Sequence, residues 1–214
     1  MTFFDLARDP VSFETHFWGA VAALFGTAAL LTKALLMSGG DVYKVIGAGV
    51  FGLSLAALYS ASSIYHFISW DAQKWLRKLD HSMIYVLIAG TYTPVFMNYA
   101  DRGHAAFFTA YIWGFAAIGI AAKLIHFNIP RWLTSSIYLF MGWSVLFDIP
   151  GFLALPLGAI IFIALGGIIY TIGAVIYALK KPNISKRFGF HEIFHLFVLA
   201  GSLCHFIAVL GWLV

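Results

Sequence analysis

Phe152 to Leu179 read FLALPLGAIIFIALGGIIYTIGAVIYAL, 28 residues without one Asp, Glu, Lys or Arg. A helix crossing a bilayer needs about 20 consecutive apolar residues, so this run is long enough to span a membrane once. It is about twice the length of a membrane strand and does not alternate, which argues against a barrel. Runs of the same kind recur on either side, over about Phe17–Met37, Val45–Ser69, Leu79–Asn98, Ala105–Ile125, a short Arg131–Phe147, and His191–Val214. The pattern predicts an all-α membrane protein, a seven-transmembrane helix bundle forming one domain over residues 1–214. Ser38-Gly39-Gly40-Asp41 and Asp101-Arg102-Gly103 punctuate it, Pro130 suits a helix start, and Asp148-Ile149-Pro150-Gly151 closes the fifth run.

Composition agrees. Hydrophobic residues make up 62% of the chain and charged residues 10%, and the mean hydropathy is +0.89. Soluble domains carry about 25% charged residues. At roughly 30 residues per span and connection, seven spans consume nearly all of the 214 residues, which excludes a sizeable soluble domain. The net charge of +4 therefore reflects topology, and no nucleic-acid partner is expected. The single cysteine, Cys204, excludes an intrachain disulfide and a cysteine zinc cluster. Met1 to Glu14 lacks a basic n-region, so no cleavable signal peptide is expected.

Charge sets the orientation. In a seven-span arrangement Arg8, Lys74, Arg77, Lys78, Lys123, Arg131, Lys180, Lys181, Lys186 and Arg187 share one side, against Lys33, Lys44 and Arg102 on the other. The positive-inside bias predicts a cytoplasmic N-terminus and a C-terminus outside.

Ionisable side chains inside a bilayer are costly, so those that remain point to function. His66 ends the second run, Asp80 opens the third, and His191 and His195 open the seventh, all near the predicted cytoplasmic edge. Ser62 and His66 are four apart, as are His191 and His195, so each pair shares a helix face. Three imidazoles from two helices, with a carboxylate nearby, suit a zinc site with one open position. Ser202 and His205 continue the stripe, with His205 about 15 Å beyond His195 and read as a second polar element. A hydrogen-bonded polar stripe lining a water cavity is the alternative. His81 points about 100° away from Asp80, and His16, His104 and His126 read as interfacial side chains.

Two motifs compete. Gly47-x-Gly49-x-x-Gly52 spells a dinucleotide fingerprint inside an apolar span, where small residues serve close helix packing instead. His191-Glu192-Ile193-Phe194-His195 spells the helical zinc-protease signature with Glu192 as base, but leaves His66 and Asp80 unexplained.

Together, Ser62-x-x-x-His66, Asp80 followed by Ile88-Ala89-Gly90-Thr91-Tyr92-Thr93-Pro94, and His191-x-x-x-His195 with Ser202-x-x-His205 resemble the hemolysin III family. This is the bacterial branch of the progestin and adiponectin receptor superfamily, and the likeness runs from the second span to the end. The resemblance implies a seven-helix bundle with a cytoplasmic N-terminus, in the bacterial inner membrane. It implies zinc held by His66, His191 and His195, with Asp80 hydrogen-bonding the zinc-bound water and Ser62 lining the site. Wider relatives include alkaline ceramidases. The expected chemistry is hydrolysis of a membrane lipid amide or ester, with Asp80 as general base and Ser62 helping to stabilise the oxyanion. A non-catalytic zinc-stabilised sensor and a pore-forming cytolysin are the competing readings.

Overall fold

The apolar runs fold as helices throughout the computed structural model, which describes residues 3–68, 73–99, 101–125, 129–185 and 187–214. The helices are α1 (Pro10–Met37), α2 (Val42–Phe67), α3 (Gln73–Met97), α4 (Arg102–Ile125), α5 (Arg131–Gly142), α6 (Ile149–Leu153), α7 (Leu157–Leu179) and α8 (Phe190–Ala208), with no strand among the described residues. A 3₁₀ turn at Phe3–Leu6 precedes them and a π turn at Val209–Leu213 ends them. Pro10 starts α1 at a position where a missing N–H costs nothing. Gly39 and Gly40, with φ of 65° and 85°, make the tight turn into α2, and Asp41 caps that helix by accepting from Tyr43 N at 2.9 Å.

Among the described residues, six segments are long and apolar enough to cross a membrane: Pro10–Met37, Val42–Phe67, Arg102–Ile125, Arg131–Leu153, Leu157–Leu179 and Phe190–Leu213. The seventh expected span, α3, is more polar. Its first turns carry Lys74, Arg77, Lys78 and Asp80, and its second half carries Thr91, Thr93 and Pro94. The reason is its place in the bundle. α3 packs against α2, α4 and α5 and buries residues on several faces, from Ser82 to Phe96, so protein surrounds it where lipid would demand apolar side chains.

The helices α1, α2, α3, α5, α7 and α8 form a closed ring, each touching the next, and α8 returns to α1. α4 packs on α3 outside the ring. Glycines set the closest approaches. A Cβ on Gly47 would stand 2.9 Å from Pro94 Cα, and one on Gly52 would stand 2.5 Å from Thr27 Oγ1. Two glycines of the fingerprint-like motif thus serve helix packing.

The fifth span breaks five residues before its expected end at Phe147 and resumes across the stretch 148–151 expected to close it. α5 stops at Gly142, a 3₁₀ turn covers Ser144–Asp148, and α6 continues to Leu153. The freed backbone groups are met by one side chain: Tyr92 Oη donates to Gly142 O at 2.7 Å and accepts from Val145 N at 2.9 Å. Asp148 caps α6 by accepting from Gly151 N. Pro156, at the N-cap of α7, starts the next span five residues later than the apolar run suggested.

Candidate metal centre

The last turn of α2 carries Ser62 and His66, and the first turns of α8 carry His191 and His195. The four-residue spacing puts each pair on one face, and the ring brings the two helix ends together. One ligating nitrogen each from His66, His191 and His195 lie within 4.8 Å of one another. His66 Nε2 and His191 Nε2 are 3.2 Å apart. His66 and His195 are each only 2% exposed. Asp80, half-buried on α3, lies beside the Ser62 hydroxyl and faces His66.

The N-terminal arm and α1 complete the site. The arm joins α2 through its backbone, with Asp9 N donating to His66 O at 3.1 Å. Asp9 holds the N-cap position of α1 but makes no cap bond. Its carboxylate turns instead to His66 Nδ1 at 2.9 Å and to Arg8 at 2.6 Å. A carboxylate only accepts, so His66 Nδ1 carries the proton and Nε2 keeps its lone pair toward His191. Burial pushes the Asp9 carboxyl up, but the bonds from His66 and Arg8 outweigh it and hold the group at about 2. Thr15 spends its hydroxyl proton on α1 carbonyls and stands 3.4 Å from His195 Nδ1, which leaves His195 Nε2 for a ligand. Orienting a ligand histidine through its second nitrogen is the usual arrangement around a metal. Buried nitrogens converging with such support fit a divalent transition-metal ion.

Glu192 lies beside the centre but is committed elsewhere. Its Oε2 accepts from Gly189 N at 2.8 Å, capping α8, and its Oε1 accepts from Ser12 Oγ at 2.9 Å. His81 stands outside the cluster. His205 is buried farther along α8, with Nδ1 2.8 Å from Gly201 O. His104 is 42% exposed and bonds Asp148 at 2.7 Å. His126 and Lys186 lie outside the described residues.

His16 corrects its interfacial reading. It is 3% exposed and stacks on His195, with ring centroids 3.6 Å apart and planes 8° apart. Neither ring nitrogen has a hydrogen-bond partner among the described residues.

A family model described as "Haemolysin-III related" matches residues 4–206. The chain belongs to the haemolysin III family. Among its haemolysin III relatives, the Hemolysin-3 homolog of Bacillus subtilis (strain 168) is 33% identical over 177 residues, covering 82% of this chain and 81% of the relative. Hemolysin-3 of Bacillus cereus is 35% identical over 201 residues, covering 92% and 87%. The monocyte to macrophage differentiation factor of Homo sapiens is 29% identical over 210 residues, covering 93% and 82%. The haemolysin III match reaches back through Asp9, Thr15 and His16, well before the second span where the sequence motifs began.

Sequence reasoning missed those three residues. Asp9 before Pro10 reads as an ordinary helix start, and its partner His66 lies 57 positions away. No spacing within α1 signals a contact with α2 or α8.

Proposed function

We propose that this chain is a zinc-dependent hydrolase of membrane lipid amides or esters, seated in the bacterial inner membrane. In this reading α3 is the seventh span, held between the apolar α2 and α4, and the excess of Lys and Arg places the N-terminus in the cytoplasm and the C-terminus outside. The observation that carries the proposal is the convergence of His66, His191 and His195 within 4.8 Å, with the Ser62–Asp80 pair alongside. Bound there, zinc would supply a Lewis acid and a water of lowered pKa. The chain supplies the rest. Asp80 takes the proton on its carboxylate as general base, which frees the neighbouring Ser62 hydroxyl to donate to a developing oxyanion. Asp9 and Thr15 keep the ligand nitrogens unprotonated.

The test pairs metal content with turnover. Purified protein should hold about one zinc, which His191→Ala/His195→Ala loses. Asp80→Ala should keep zinc and lose hydrolysis of acyl amides and esters. Equal activity in Asp80→Ala and wild type would remove Asp80 as base. A second reading, a zinc-clipped membrane sensor without turnover, draws on the burial of His66 and His195. It predicts that chelation lowers the melting temperature while no lipid is consumed.

A further inference from the structure

A cavity of about 180 Å³ lies between α2, α3, α5, α7 and α8. Its lining extends from Ile84 and Phe194 to Val95 and His205, which is about 16 Å along α3 and α8 at 1.5 Å per residue. That length matches one leaflet of a bilayer whose hydrocarbon core is about 30 Å thick.

The walls are largely apolar, and most of their polar side chains already spend their hydrogens within the protein. Thr91 Oγ1 donates to Leu87 O, Tyr92 Oη to Gly142 O and Tyr138 Oη to His81 O. Trp143 Nε1 donates to Thr171 Oγ1, which donates to Gly167 O. Tyr170 Oη is bonded to Ser202 Oγ at 2.8 Å. His205 differs. It is 5% exposed, lines the cavity and lies stacked on Tyr170, with ring centroids 5.2 Å apart. Its Nδ1 sits 2.8 Å from Gly201 O. A carbonyl only accepts, so Nδ1 carries the proton and Nε2 is a bare acceptor, with no hydrogen-bond partner among the described residues. An acceptor without a hydrogen bond in a largely apolar cavity is poorly satisfied, and a ligand donor that meets it gains a hydrogen bond.

We propose that this cavity binds an uncharged hydrocarbon chain bearing one hydroxyl, which donates its hydrogen bond to His205 Nε2. A carboxylate would bring a charge into walls that hold no cation to pair with it, and an ether brings no proton. His66, His191 and His195 do not line the cavity, so the site works without the metal and stands apart from the hydrolase reading.

The experiment compares matched probes on detergent-solubilised full-length protein. 1-Dodecanol should bind about 5- to 10-fold more tightly than dodecyl methyl ether, the worth of one hydrogen bond to a buried acceptor. Phosphatidylcholine with a 12-hydroxystearoyl chain, compared with its stearoyl counterpart, tells a lipid chain from a free alcohol; preference for the hydroxyl in either pair supports the site. His205→Phe keeps the ring on Tyr170 and should abolish the preference. Gly167→Leu, directed into space where the nearest side-chain atom to a Cβ is 3.9 Å away, should weaken both probes at least about tenfold by filling the cavity. The preference should persist in His191→Ala/His195→Ala. Equal affinity for both members of both pairs overturns the proposal, as does a preference surviving in His205→Phe. Should His205→Phe not fold, wild-type protein labelled with ¹⁵N-histidine decides: dodecanol, and not the ether, must shift one unprotonated imidazole nitrogen.

Discussion

The carboxylate of Asp9 stands 2.9 Å from Nδ1 of His66, across 57 positions of sequence. It makes the N-terminal arm part of the candidate metal centre, because it fixes which nitrogen of His66 is free. Supporting partners of this kind typically contribute 10- to 100-fold in metal affinity. Asp9→Ala should therefore weaken zinc binding by about that factor while leaving the helical content unchanged. Competition against a metallochromic chelator measures it; unaltered affinity would show that the backbone bonds from the arm to α2 hold His66 in place without the carboxylate.

His16 offers a test of the opposite kind. Its ring stacks on His195, yet both nitrogens are buried without partners. Replacing an unsatisfied polar group by an apolar one of similar shape is neutral or stabilising, whereas truncation leaves a hole. His16→Phe should hold or raise the melting temperature of the metal-free protein. His16→Ala should lower stability by about 2–4 kcal/mol. If Phe costs as much as Ala in thermal unfolding, ordered water bonds those nitrogens.

The contrast between Asp9 and His191 explains what the sequence made legible. Charged and imidazole side chains are scarce in the apolar runs, so His66, Asp80, His191 and His195 stood out against their background, and four-residue spacing paired them by face. Asp9 and Arg8 lie in a polar arm where charges are ordinary, and their contact with His66 depends on tertiary structure. His16, at the edge of an apolar run, looks the same in sequence whether it meets headgroups or a neighbouring ring. The spans were legible to within a few residues where a helix simply ends, as at Met37. They were displaced at 142–156, where Tyr92 from another helix allows a break inside the membrane. α3 departs from the apolar pattern because its neighbours are helices.

Packing at Gly90 is tight enough to predict. A Cβ there would lie 2.2 Å from Ser54 Oγ and 2.5 Å from Ser54 Cβ, so α2 and α3 would have to separate. Gly90→Ala should cost about 1–3 kcal/mol, the usual penalty for overpacking. Gly114→Ala is the control, since nothing lies within 4 Å of its Cβ position. It should leave stability unchanged or raise it. Unfolding in mixed detergent measures both, and equal effects would mean that the α2–α3 contact relaxes freely.

Tyr92 supports the broken fifth span with a single hydroxyl, giving to Gly142 O and taking from Val145 N. A buried backbone group left unpaired costs about 1–3 kcal/mol. Tyr92→Phe keeps the ring stacked on Phe96, where the centroids are 5.2 Å apart, and removes only the two bonds. The variant should lose about 2 kcal/mol or more of stability. Its amide hydrogen exchange should quicken at 142–148 before it quickens in α7 or α8. Uniform quickening along the chain would show that the hydroxyl stabilises the bundle as a whole, whereas a local change assigns it to the break between α5 and α6.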